Sequence, residues 1–158
     1  IEQDEKEAIK WYHKAAEQGV TDAQHNLGVS YANGLGVEKD DKEAVKWYRK
    51  AAEQNNFSAQ NSLGGLYRDE RGVEKNDKKA VKWFRKAAEQ NHLQSQVHLW
   101  FMYAVDSGVE KDLKEANKWL RKAEEQKHSR TQHNIGNRIG YETWMPALNH
   151  AFPKLRLW

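Results

Sequence analysis

Ala44-Val45-Lys46-Trp47-Tyr48-Arg49-Lys50-Ala51-Ala52 returns 36 residues later as Ala80-Val81-Lys82-Trp83-Phe84-Arg85-Lys86-Ala87-Ala88. The same interval separates Trp11, Trp47, Trp83 and Trp119, as it does Ala8, Ala44, Ala80 and Ala116. It also separates Leu27, Leu63, Leu99 and Ile135, then Gly36, Gly72 and Gly108, and Val37, Val73 and Val109. A fixed period of this length marks an array of stacked units rather than one globular core. About four units fit the chain, and roughly three suffice for neighbours to bury a continuous core. Such an array is mostly surface, so the period points to binding more than to chemistry.

Composition agrees. Of 158 residues, 31% are charged and 38% hydrophobic, which is polar for a globular domain and suits units with one buried face each. Seven Trp and six Tyr argue against disorder. The net charge of +3 and pI near 9.0 favour acidic surfaces mildly without requiring nucleic acid. There is no Cys, hence no disulfide or thiolate chemistry. No apolar run is long enough for a membrane span, and no signal peptide is visible. Ile1-Glu2-Gln3-Asp4 aligns with Val37-Glu38-Lys39-Asp40, so the chain is expected to start inside a repeat, with more sequence upstream that could include a signal region.

Within the second unit, Asp40 followed by Glu43 is a capping-box pattern opening a first helix, helix A. Asp4/Glu7 and Asp112/Glu115 repeat it; the third unit has Asn76 and Lys79, so only the cap remains there. At 100° per residue, Ala44, Val45, Trp47, Tyr48, Ala51 and Ala52 share an apolar arc of about 160°, opposite Lys42, Lys46, Arg49 and Lys50. Helix A is expected to stop at Gly19, Asn55 and Asn91, residues that tolerate the left-handed conformation. Lys127 holds that place in the fourth unit, where a left-handed Lys would cost about 1 kcal/mol, so that helix is expected to end differently. Helix B runs from about Thr21 to Ala32 on a seam of Ala23, Leu27 and Tyr31. Gly28 and Gly64 beside the seam each cost roughly 1 kcal/mol of helix propensity, and their recurrence predicts a close helix crossing. Gly36-Val37 closes the unit with a tight turn.

These residues resemble the Sel-1-like repeat, a relative of the tetratricopeptide repeat. The pattern is carried by Ala8, Trp11-Tyr12, Ala15-Ala16, Gly19, Ala23, Leu27-Gly28, Tyr31, Gly34 and Gly36-Val37. The resemblance covers residues 1–137 and is closest to bacterial members. It implies an all-α, right-handed α/α superhelical solenoid of helix–turn–helix repeats, with the A helices on the concave side. It implies a non-enzymatic scaffold or adaptor binding a protein or peptide. An immunity or inhibitor protein that neutralises a bacterial toxin is the alternative, and a cell-envelope hydrolase or ligand-binding protein comes third. Bacterial cytoplasm and periplasm both fit. A cysteine-rich branch of the family is set aside by the absence of Cys. Glu70 and Asp106 replace the first glycine of the closing turn, Trp100 replaces the helix-B glycine, and the pattern ends at Asn137. Residues 138–158 are a divergent segment.

The candidate partner-binding residues are the basic positions of helix A: Lys10, His13 and Lys14, then Lys46, Arg49 and Lys50, then Lys82, Arg85 and Lys86, then Lys118, Arg121 and Lys122. Stacked, they form ladders suited to an acidic protein or peptide, though Glu17, Glu53, Glu89 and Glu125 lie near and an ordinary solvated face is the plainer reading. Nucleic acid is disfavoured by the modest charge and the lack of a recognised module. The four repeat tryptophans sit at the edge of the apolar arc, as packing residues between units. His92/His98 and His128/His133 have spacings that do not put both rings on one helix face, so no metal site is expected. No nucleophile motif, phosphate loop or carboxylate pair suggests catalysis or a cofactor. The individual part of the chain is Trp100-Phe101 with the tail residues Trp144, Phe152 and Trp158. This tail caps the array, docks on another copy or partner, or is an artefact.

Overall fold

The computed structural model describes residues 2–105 and 109–133, with side chains for 3–105 and 109–127. Among them are seven helices and no strand: α1 (Glu2–Glu17), α2 (Thr21–Asn33), α3 (Asp41–Glu53), α4 (Phe57–Arg68), α5 (Asp77–Glu89), α6 (Leu93–Ala104) and α7 (Leu113–His133). The odd-numbered helices are the A helices, and α2, α4 and α6 are the B helices. Residues 1–124 form one compact unit; a second begins at Glu125, and α7 continues into it.

Each A helix begins where its cap residue stands. Asp40 accepts from the backbone N–H of Lys42 and Glu43, Asn76 from that of Lys79, and Asp112 from those of Lys114 and Glu115. The second half of the capping box is not used. The cap residue's own N–H goes to a carbonyl of the preceding helix B instead: Asp40 to Tyr31, Asn76 to Tyr67 and Asp112 to Tyr103, at 2.9, 3.0 and 3.0 Å. That leaves the fourth residue of the box free for other work, which is why Lys79 can stand where its neighbours have Glu43 and Glu115.

The A helices end as their residue types require. Gly19, Asn55 and Asn91 have φ of 86°, 69° and 62°. Val20, Asn56 and His92 each donate back five residues, to Ala15, Ala51 and Ala87, closing a Schellman motif. α7 runs through Lys127 without this turn. Helix B ends with Gly34 at φ 71°, and Glu70 keeps the same left-handed conformation at φ 55° despite its Cβ. Two residues on, a Cβ at Gly36 would lie 2.6 Å from the Glu5 carbonyl oxygen, and one at Gly72 would strike that of Asp41. The turn therefore presses directly on its own unit's helix A.

Packing between units depends on glycine meeting a ring. A Cβ at Gly28 would lie 2.5–2.8 Å from the ring of Tyr48, and one at Gly64 2.8–3.1 Å from that of Phe84. The next pair in register is Trp100 and Leu120, large and small exchanged, with Trp100 buried. Leu27, Leu63 and Leu99 are buried at the centre of each B helix, and Ala44, Ala51, Ala52, Ala80, Ala87 and Ala88 are buried in the A helices.

A feature absent from the sequence reading binds the units along their edge. Gln24, Gln60 and Gln96 are buried, and each donates to the carbonyl eight residues earlier, Ala16, Ala52 and Ala88, at 3.1–3.2 Å. The side-chain oxygens of Gln24 and Gln60 accept from Gln54 and Gln90 of the following A helices, at 2.7 and 2.8 Å. The C-terminus of one helix A, its own helix B and the next helix A are thus joined in sequence.

The tryptophan ladder divides. Trp47 and Trp119 are 4% and 1% exposed, Trp83 is half-buried, and Trp11 is 62% exposed. Trp47 packs edge-on against His13 of the unit before, at 5.6 Å between ring centroids. Among the described residues Trp11 makes no such ring contact. Packing between units therefore describes Trp47 and Trp119 and not Trp11. Trp47→Ala is expected to cost roughly 3–5 kcal/mol in denaturant melts, and Trp11→Ala less than about 1 kcal/mol. Glu70→Gly relieves a left-handed residue that bears a Cβ, and should raise stability by about 1 kcal/mol in the same assay.

Candidate functional site

The lysines of helix A form two rows on the array. Lys10, Lys46, Lys82 and Lys118 are exposed, and so are Lys14, Lys50, Lys86 and Lys122. The second row reaches over the tryptophan faces: Lys14 lies 5.6 Å from the Trp11 ring centroid, Lys50 4.5 Å from Trp47, Lys86 5.2 Å from Trp83 and Lys122 4.8 Å from Trp119. Each such cation–π contact contributes about 0.5–1 kcal/mol at an exposed site. It biases the ammonium towards the ring face.

The third basic position is not a free cation. His13 Nε2 lies 3.1 Å from the Tyr31 hydroxyl, Arg49 donates to the Tyr67 hydroxyl at 2.8 Å and Arg85 donates to that of Tyr103 at 2.6 Å. Each bond crosses from helix A to helix B of the same unit. Arg121 is exposed, and the position in register with the tyrosines, residue 139, lies outside the described residues. The tyrosine period was visible in the sequence but read only as buried seam; the signal for a polar partner was a cation 18 residues before each hydroxyl.

A helix of the next unit completes each groove beside these pairs. In the first groove the Glu43 carboxylate takes Lys46 at 3.1 Å. Burial, followed by the nearby Glu43 charge, pushes the Tyr31 hydroxyl above its ordinary pKa. In the third, Glu115 pairs with Lys118 at 2.9 Å, lies 3.7 Å from Arg85 and accepts from Trp119 Nε1 at 3.0 Å. The bond from Lys118 is the main reason its carboxyl titrates below the usual range. In the middle groove Lys79 replaces the acid, its Nζ 5.3 Å from the Tyr67 ring centroid.

The remaining candidates fall elsewhere. His92 and His98 share one polar cluster with Asn61 and Ser95: Ser95 donates to Asn61 Oδ1 at 2.8 Å, His92 Nδ1 lies 2.8 Å from Ser95 Oγ, and His98 Nδ1 lies 3.1 Å from Asn61 Oδ1. Ser95 is fully buried. Among the described residues no three His, Cys, Asp or Glu side chains come together as metal ligands. Trp100 is buried and Phe101 is 44% exposed, their rings 6.4 Å apart. Trp144, Phe152 and Trp158 lie outside the described residues. No helix among the described residues is long and apolar enough to cross a membrane.

The profile of the Sel1 repeat matches residues 1–20, 21–56, 57–92 and 101–128. The chain belongs to the Sel1-repeat family. Its middle matches run from helix B into the next helix A, the pairing that Gly28–Tyr48 and Gly64–Phe84 make closest. A comparison with curated proteins finds no match. Among solved structures, a protective antigen of uropathogenic Escherichia coli with an SLR fold is 42% identical with a TM-score of 0.73, over 75% of this chain and 25% of that one. A Sel1 repeat protein from Oxalobacter formigenes is 43% identical with a TM-score of 0.73, over 77% of this chain and 48% of that one. The cysteine-rich protein B of Helicobacter pylori is 26% identical with a TM-score of 0.62, over 79% and 90%. The chain therefore spans a quarter and about half the length of the first two structures. Sel1 repeats generally mediate protein–protein interaction, and the family is typically a non-catalytic scaffold.

His98 supplies a test of the packing beneath this surface. Burial, aided by the charge of Arg68, pushes its pKa down from 6.5 to about 4. The folded state thus holds His98 neutral where the unfolded chain already binds a proton. Stability is retained above about pH 6.5 and lost as the pH falls towards 4, by up to about 3 kcal/mol. His98→Asn, the residue in register in the first unit, should flatten that part of the pH profile in thermal melts.

Proposed function

We propose that the protein is a non-enzymatic interaction module that binds a protein or peptide along the helix-A face, the concave side of the solenoid in this reading. The observation that carries it is the regular spacing of the two exposed lysine rows, the second held over the tryptophans. Their repetition at one position of every unit offers a linear segment the same contact at each step. The half-buried Trp83 adds apolar surface between the charges. Attraction to an acidic partner follows from the sign of the rows.

The test is affinity capture by the full chain from a bacterial lysate, quantified beside a variant in which Lys46, Lys50, Lys82 and Lys86 are alanine. Proteins bound through this face should be lost from the variant and released from the parent chain as ionic strength rises. Unchanged capture would place the binding surface elsewhere.

A further inference from the structure

We propose that the groove between the second and third units is a carboxylate site for an acidic peptide. A partner Asp or Glu side chain would stand there where Glu43 and Glu115 stand in the neighbouring grooves. The inference rests on the helix-A face being the binding face, and it names the kind of residue that face selects.

The fourth unit shows how this surface holds a carboxylate. Glu115 receives Lys118 on one oxygen and Trp119 Nε1 on the other, with Arg85 from the preceding unit 3.7 Å away. All three donors have counterparts one unit earlier. Arg49 corresponds to Arg85 and is already anchored on the Tyr67 hydroxyl. Lys82 corresponds to Lys118 and is exposed; Trp83 corresponds to Trp119 and is half-buried. What differs is the acid. Position 79 is Lys where positions 7, 43 and 115 are Glu. The middle groove thus keeps both cations, adds a third, and loses the internal anion. Among the described residues no carboxylate comes within ion-pair distance of Arg49, Lys79 or Lys82.

Folding does not require this exchange. The cap of α5 depends on Asn76 and on the Tyr67 carbonyl, neither of which involves the side chain at position 79. Lys79, over one face of the Tyr67 ring whose hydroxyl holds Arg49, instead adds a positive charge where the flanking units carry a negative one. The shape of the surrounding field favours a peptide over a nucleic acid. A polyanion extending in either direction would meet the carboxylates of Glu43 and Glu115, whereas a single acidic side chain on a mixed peptide would not.

The experiment uses the full chain and short labelled peptides of Glu and Ala, blocked at both termini and differing in Glu spacing, with Gln-for-Glu counterparts. Fluorescence anisotropy should show binding of a Glu peptide and not of its Gln counterpart. Lys79→Glu, which installs the residue of the flanking units and so leaves the fold intact, should weaken binding by roughly tenfold or more. Lys39→Glu changes net charge equally at an exposed loop position and should leave binding unchanged. Equal loss in both variants, or no loss in Lys79→Glu, would overturn the groove assignment. So would failure of every Glu peptide to bind. In those cases the capture experiment decides separately whether the helix-A face binds protein at all. A single-stranded oligonucleotide that binds more tightly than any peptide, with the same dependence on Lys79, would assign the groove to nucleic acid and overturn the proposal.

Discussion

The array is held at its spacing by the approach of one helix B to the next helix A, and that approach is set by a missing side chain. At Gly28 and Gly64 the ring of Tyr48 or Phe84 occupies the volume in which any Cβ would sit. The helix loses roughly 1 kcal/mol of propensity at each glycine, and the ring it admits fills the interior at close range, where dispersion contacts are many. The alanine arc of helix A serves the same end, since a broader face would hold the helices apart. Where the glycine gives way to Trp100, the residue in register with the ring is Leu120, so large and small change places in the sequence.

Fixing that distance has effects at the surface. It sets the start of the next helix A beside the tyrosine–basic pair of the unit before, where Glu115 comes 3.7 Å from Arg85. Arg49 and Arg85 are consequently part of a bonded groove, while the lysine rows on either side remain exposed. A surface that the composition describes only as mildly basic is resolved into ordered grooves, two with their own carboxylate and one without.

Much of this was legible in the chain because it depends on local chemistry. The period gave the units; Asp40, Asn76 and Asp112 gave the helix starts; Gly19, Asn55 and Asn91 gave their ends; and Lys127 marked the one helix that runs on. The close crossings at Gly28 and Gly64 were legible too, because a helical glycine needs a reason. What lay beyond reach depended on partners distant in sequence. Trp11 and Trp47 have nearly the same neighbours along the chain and opposite exposure, and Trp47 lies against His13 of the unit before it. The roles of the glutamines at 24, 60 and 96 depend on carbonyl partners in the preceding helix. The second half of the capping box failed for a similar reason: the Tyr31, Tyr67 and Tyr103 carbonyls, not the box glutamates, take the N–H of the cap residue.

The glutamine chain has a thermodynamic meaning beyond its bond count. Gln60 satisfies a carbonyl at the end of α3 and is itself satisfied from α5, so opening either neighbour leaves a buried polar group without its bond. A buried group stranded in this way costs about 1–3 kcal/mol. Coupling of this kind makes adjacent units melt together and penalises a boundary between folded and unfolded units inside the array. Loss of structure should then begin at an end and travel inward, and hydrogen exchange would be slowest in the B helices flanked on both sides.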